Sequence, residues 1–519
     1  MPQQQQLASR SWYPALSLFL GFFLVYLAFS PLDLLGMGYV PRFFAVGSAM
    51  VNNLRHLLGA SGSFEAVGTT SHGLIEPVLD IPFLWLGRLF GGPFDRPGGG
   101  PDILLSVEPV IEVALLCVLI FLWVRKLSTP MWAYLLAIAA AFTTMLWPYA
   151  YISLETTQSL CLMLAGYLVL GCDGRGRWRT VAVALASALA CSVKTSGLFL
   201  TPAVAYLVYE YGRNERSRVS ARTVVVAGAC AVTFIFNHQA AMRSGAYTTQ
   251  WHGSAGLFAV SHTTPIMSVL NVFNLFLSLN KGLLIYCPIL VLALANLGRA
   301  WAKDRRVVVF ALVALTCNVL ALASLFAWAD EVWGPRYLCA NVAPLMVCLG
   351  AAKGAESFRW RREWAIVPLM IWGFAVSALG ALFYYHDLHI VAIQAQAVTL
   401  EDLLHQMEWN PIRFDSELLR LWLDKEVLNK TVDQPWPPKG HLWPERIPRA
   451  ITPVDLAPYA HPQGFVFHAR ERWRTWRGRI EWGVCFAAFP IGVALLLRTG
   501  RGLFALETVQ RQSSAEIAA

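Results

Sequence analysis

Charge is what this chain has least of. Lys, Arg, Asp and Glu make up only 14% of its 519 residues, where a soluble domain carries roughly 25%. With 56% of the residues hydrophobic and a mean hydropathy of +0.50, that shortage excludes an ordinary water-soluble body. Strand-like alternation is also lacking, which argues against a membrane barrel. An unpaired backbone group in hydrocarbon costs several kcal/mol, so helices are the remaining way to span. The ten cysteines show no CxxC or zinc-type spacing, so they read as small core residues rather than a disulfide framework. His72, His238, His252 and His262 show no HExxH-type spacing, so no catalytic zinc is assigned. No internal repeat stands out. The apolar run after Arg10 has no small-residue cleavage site, so it reads as a first span rather than a signal peptide.

What is present is a recurrence of apolar stretches, each about 16–24 residues long. Spans are expected near 14–30, 103–124, 131–149, 157–171, 180–193, 197–211, 222–239, 283–299, 307–328, 337–352, 364–384 and 480–497. Every second short loop is basic. Arg125 and Lys126 follow the second span, and Arg175, Arg177 and Arg179 the fourth. Arg213, Arg216, Arg218 and Arg222 follow the sixth, Lys303, Arg305 and Arg306 the eighth, and Lys353, Arg359, Arg361 and Arg362 the tenth. The net charge of +9 is concentrated there, which fits the positive-inside rule and not a nucleic-acid partner. The expectation is an all-α polytopic membrane protein with about 12 transmembrane helices. An interfacial helix in the first outer loop and a small extracytoplasmic cap complete it, with both termini cytoplasmic. Residues 1–384 form the main membrane domain, 385–479 a Trp- and Pro-rich outer segment, and 480–519 the last span and tail.

The outer side collects the polar residues of interest. Glu155 stands at the mouth of the fourth span, after the turn Trp147-Pro148-Tyr149. It is either a helix-start carboxylate favoured by the dipole or a ligand for metal or substrate. Lys194 separates two apolar runs. It either snorkels to headgroups or faces a cavity and meets phosphate. Lys281 opens the eighth span beside Gly282, where helix amides already favour anions. Asp330, Glu331, Arg336 and Tyr337 share a short loop with Gly334-Pro335. That loop reads as a plain turn in which Arg336 neutralises Asp330, or as part of a binding site. Lys194, Lys281 and Arg336 together place three cations against the usual outer-side bias, which favours an anionic headgroup. Asp33, directly after the first span and upstream of Arg42, is the candidate base; Glu65, Glu76 and Asp80 are further acids in the same segment.

Several strings in this order carry a resemblance. Tyr39-Val-Pro-Arg-Phe-Phe-Ala lies in the first outer loop, and Pro148-Tyr149 leads to Glu155. Asn-Lys-Gly-Leu-Leu-Ile-Tyr-Cys-Pro spans 280–288, and Trp-Gly-Pro-Arg-Tyr-Leu spans 333–338. The chain resembles the GT-C superfamily of integral-membrane glycosyltransferases, nearest to bacterial protein-mannosyltransferase and lipid A aminoarabinose-transferase relatives, over about residues 14–384. The resemblance implies inverting transfer of a sugar from a polyprenyl-phosphate-type lipid to a lipid, glycan or protein acceptor at the outer face of a bacterial inner membrane. It makes Asp33 and Glu155 the catalytic acids. It places Lys281 and Arg336 on the phosphate side; with Arg42, Lys194, Asp330, Glu331 and Tyr337 from the outer loops they are the expected substrate-binding residues, and a divalent cation is the one cofactor left open. The stretch Gly36–Arg42 carries no acid where relatives usually have one; Asp33 would substitute. Two other readings compete. One is a noncatalytic GT-C-like subunit of a membrane complex, and the other a lipid or solute transporter.

Overall fold

The computed structural model describes residues 12–30, 49–54, 57, 74–89, 100–151, 153–172, 177–214, 221–243, 265–324, 333–354, 363–383, 410–424 and 476–518. Among these there is no strand. The principal helices are α1 (Trp12–Phe29), α2 (Ile75–Leu89), α3 (Gly100–Leu127), α4 (Pro130–Phe142), α5 (Ser153–Gly166), α6 (Arg177–Ser192), α7 (Thr201–Asn214) and α8 (Ala221–Arg243). They continue with α9 (Pro265–Leu277), α10 (Arg305–Ser324), α11 (Cys339–Lys353), α12 (Ile366–Leu382), α13 (Pro411–Trp422) and α14 (Trp476–Ala518).

Three stretches, Leu104–Leu127, Arg305–Ser324 and Trp482–Val509, are long and apolar enough to cross a membrane. Other apolar helices are shorter, among them Tyr13–Phe29, Pro130–Phe142 and Ile366–Leu382. At 1.5 Å per residue these fall short of the roughly 30 Å hydrocarbon layer. The shortfall has local causes. The stretch expected as one span at 131–149 breaks after Phe142. Thr143 and Thr144 turn their hydroxyls back onto the carbonyls of Ala139 and Ala140 (2.7 and 2.6 Å), a pattern that bends helices. The stretch expected at 283–299 is divided into Leu283–Tyr286, Leu290–Ala295 and Leu297–Lys303. Pro288 supplies no N–H and pushes Cys287 out of the helical region, to φ −135° and ψ 63°.

The core is continuous and centred on α11, whose residues from Cys339 to Ala351 are all buried. A helix apolar on every side belongs in an interior. Its one amide there, Asn341, accepts from Asn318 Nδ2 of α10 (3.0 Å), which also donates to the Tyr337 carbonyl. Trp123 of α3 stacks on Phe310 of α10 at 6.3 Å. The ten cysteines are all free, and all but Cys172, Cys230 and Cys317 are buried, in keeping with their reading as small packing groups.

Two elements were not foreseen. Helix α9 lies before the eighth expected span. Helix α13 lies within the outer segment, where Asn410 caps it by accepting from Arg413 N (3.1 Å) and Pro411 opens it. Helix α2 lies in the first outer loop, the segment in which the sequence suggests an interfacial helix. Its N-terminus is held by Asn237 of α8. The amide oxygen accepts from Leu74 N (2.9 Å) and Ile75 N (3.2 Å), and the amide nitrogen donates to the Ser192 carbonyl. One fully buried side chain thus ties α2 and α8 to the break that follows α6. Replacing Asn237 with Leu orphans these groups at roughly 1–3 kcal/mol each. A lower thermal midpoint of the detergent-solubilised protein is the expected result, and an unchanged one would show that the amide is dispensable.

Candidate functional site

The site is built where helices stop. Glu155 lies in the first turn of α5, whose amide dipoles favour a carboxylate. Lys194 occupies the gap between α6 and the tight turn Thr195–Leu200, in extended backbone at φ −132° and ψ 151°. Gly197 allows this reversal, since a Cβ there would meet the Cys191 carbonyl carbon at 2.6 Å. Arg336 and Tyr337 belong to the short turn that leads into α11. Gly334, at φ +59°, sets that turn's direction, a conformation costly to residues with a Cβ. Its face lies against the ring of Tyr286, which would stand 2.8 Å from an added Cβ.

These breaks bring four of the expected residues together. Lys194 Nζ is ion-paired with Glu155 Oε1, and Arg336 Nε lies 3.4 Å from the same oxygen. The Lys194 ammonium sits 4.5 Å from the centre of the Tyr337 ring, and the Arg336 guanidinium 4.9 Å from it. Arg336 Nη2 donates to the Tyr337 hydroxyl at 3.1 Å. Glu155, Lys194 and Arg336 are between 1% and 3% exposed, so water contributes little screening. Glu155 Oε2 accepts no hydrogen bond from the described residues. Two cations and a carboxylate buried together are unusual for an interior.

Lys281 is buried on the adjoining loop. The Tyr286 hydroxyl donates to the Asn280 carbonyl at 3.0 Å, and the Tyr286 ring meets Trp333 edge-on at 5.3 Å. Tyr149, from the Pro-Tyr turn, donates to the Trp333 carbonyl at 2.7 Å. Asn410, the cap of α13, donates to Asn280 Oδ1 at 3.0 Å. The loops at 147–151, 278–282 and 333–337 are therefore one connected assembly. Asp33, Arg42, Asp330 and Glu331 lie outside the described residues, as do His72, His252 and His262.

A second group of acids adjoins the first. Thr156, next to Glu155, donates to Glu112 Oε2 of α3 at 2.6 Å. One turn before Glu112 is Glu108, which hydrogen-bonds the side chain of Asp80 on α2. Glu108 and Glu112 were not singled out in the sequence, although a carboxylate pair at i and i+4 within an apolar run is a legible signal. Among the described residues no group of three or more His, Cys, Asp or Glu is arranged to hold a metal ion.

The ion cluster predicts an asymmetry in stability. Removing Lys194 leaves Glu155 its contact with Arg336, whereas removing Glu155 takes the same carboxylate from both Lys194 and Arg336. Glu155→Leu is expected to cost roughly 3–5 kcal/mol, the range for breaking a buried pair, and Lys194→Met distinctly less. Thermal unfolding of the purified variants checks this order, and the reverse order would refute the charge assignment. No protein-family model and no curated protein matches this chain.

Proposed function

We propose that the chain is a glycosyltransferase that takes its sugar from a polyprenyl-phosphate-type lipid and works at the outer face of a bacterial inner membrane. In this reading the apolar segments make about twelve crossings, counting those in which broken or short helices share a passage, and both termini are cytoplasmic. One observation carries the proposal. An ion cluster, Glu155, Lys194 and Arg336, lies buried where loops that alternate with the basic ones converge. A lysine and an arginine held side by side in a dry interior suit a phosphate group.

The chemistry assigned to it is an inverting displacement. The acceptor hydroxyl attacks the anomeric carbon, the bond from that carbon to the phosphate oxygen breaks, and the electron pair leaves with the lipid phosphate. Lys194 and Arg336 stabilise the charge that develops on that oxygen, with Lys281 on the neighbouring loop, while Tyr337 holds the two cations in place. Asp33 or Glu155 takes the hydroxyl proton or orients the acceptor. Membrane lipids are the surroundings from which the donor enters.

A second reading, transport of a lipid or solute, draws on Asp80, Glu108 and Glu112. Ionisable groups buried beside a helix long enough to cross a membrane often mark a pathway. Proteoliposome assays separate the two. With a polyprenyl-phosphate sugar as donor, Arg336→Ala is expected to lower transfer on the order of 100-fold or more, as for other lost oxyanion contacts, while the protein remains folded. Full transfer by that variant, or transport by wild type without any transfer, would remove the proposal.

A further inference from the structure

Helices α6 and α8 pack closely on one another, and each carries a cysteine at the contact. On α6 the small residues Ala184, Ser187 and Ala188 are buried on the same face as Cys191. Small side chains there let a neighbouring backbone approach. On α8 the buried residues Val226 and Asn237 lie on one stripe with Cys230 between them. The two thiols meet. Cys191 Sγ donates to the Ser187 carbonyl at 3.0 Å, and the side chains of Cys191 and Cys230 are hydrogen-bonded to each other. Cys191 is 2% exposed, whereas Cys230 is half-buried and gives access to the pair.

A disulfide needs two close backbones and sulfurs that face each other. The packing of α6 on α8 supplies the first and the thiol contact the second. We infer that Cys191 and Cys230 form a reversible disulfide site, at which exchange with a disulfide-bearing oxidant joins α6 to α8 covalently. One thiol of the pair, as its thiolate, attacks the oxidant's disulfide and expels one of its sulfurs as a thiolate. The other then attacks the mixed disulfide, expels the second sulfur and closes the Cys191–Cys230 bond. Two electrons pass from the pair to the oxidant, and the two thiol protons go to the two expelled sulfurs.

The place of this bond gives it a structural consequence. Cys191 is the last residue but one of α6, just before the break that presents Lys194. The turn Thr195–Leu200 folds back onto it, with no room at Gly197 for a Cβ beside the Cys191 carbonyl. Asn237, about two turns beyond Cys230 on α8, already donates to the Ser192 carbonyl. A covalent link one residue earlier reinforces that hydrogen bond and pins the end of α6 from which the Lys194 turn departs. In the topology proposed above this end faces outward, the side on which disulfides persist; the meeting of the two thiols does not depend on that topology.

The test treats purified wild type in detergent with dithiodipyridine, an apolar disulfide. Peptide mapping by mass spectrometry without reductant is expected to show Cys191 joined to Cys230, and dithiothreitol is expected to separate them. The crosslink is expected to raise the thermal midpoint by roughly 2 °C or more. Cys191→Ala and Cys230→Ala, treated alike, are expected to show neither the crosslink nor the rise. A pyridyl adduct on Cys230 with no bond to Cys191, or no reaction at either residue, would overturn the inference. That mapping needs no variant, so it decides the matter whatever the substitutions do to folding. A crosslink that left the midpoint unchanged would overturn the pinning of α6.

Discussion

Two cations sharing one carboxylate oxygen in a nearly dry interior is the constraint around which the rest is arranged. Such a cluster cannot be solvated by water, so its charges must be held by the fold and by one another. Glu155 comes from the first turn of α5, Lys194 from a gap between helices and Arg336 from the turn into α11. None of the three sits in the middle of a regular helix. The helix breaks are therefore where backbone freedom is spent to bring distant side chains within 3.4 Å or less.

The surrounding contacts keep those breaks in register. Tyr149 joins the turn before α5 to Trp333, and Tyr286 joins Trp333 to the Asn280 loop. Asn318 grips the Tyr337 carbonyl and so fixes the residue against which both cations lie. On the far side of α5, Thr156 holds Glu112, and Asp80 with Glu108 seats α2 on α3. Polar bonds at the ends of apolar helices thus do the aligning, while apolar packing around α11 supplies bulk cohesion.

Much of this was legible in the sequence, for identifiable reasons. Apolar runs with basic residues after them marked most of the helices, because the cost of an unpaired backbone group in hydrocarbon leaves few alternatives. Glu155, Lys194, Arg336 and Tyr337 were visible as polar residues at the edges of such runs. Their convergence on one oxygen was not, since hydropathy carries no information about which breaks face one another. Helix α13 went unread although Asn410-Pro411 followed by Phe414, Leu418 and Leu421 spells a capped amphipathic helix; a high local content of Trp and Pro obscured it. The breaks after Phe142 and at Cys287-Pro288 were concealed by continuous hydrophobicity, although Thr143, Thr144 and Pro288 were their local causes.

The loop that presents Arg336 also couples two positions far apart in sequence. Gly334 lies against the ring of Tyr286 with no room between them for a methyl group, and its left-handed backbone already disfavours other residues. A side chain at 334 is therefore tolerable only where 286 has lost its ring. Over evolutionary time the two sites should drift jointly, so their paired identity becomes a fingerprint by which distant kin sharing this hairpin bend are recognised.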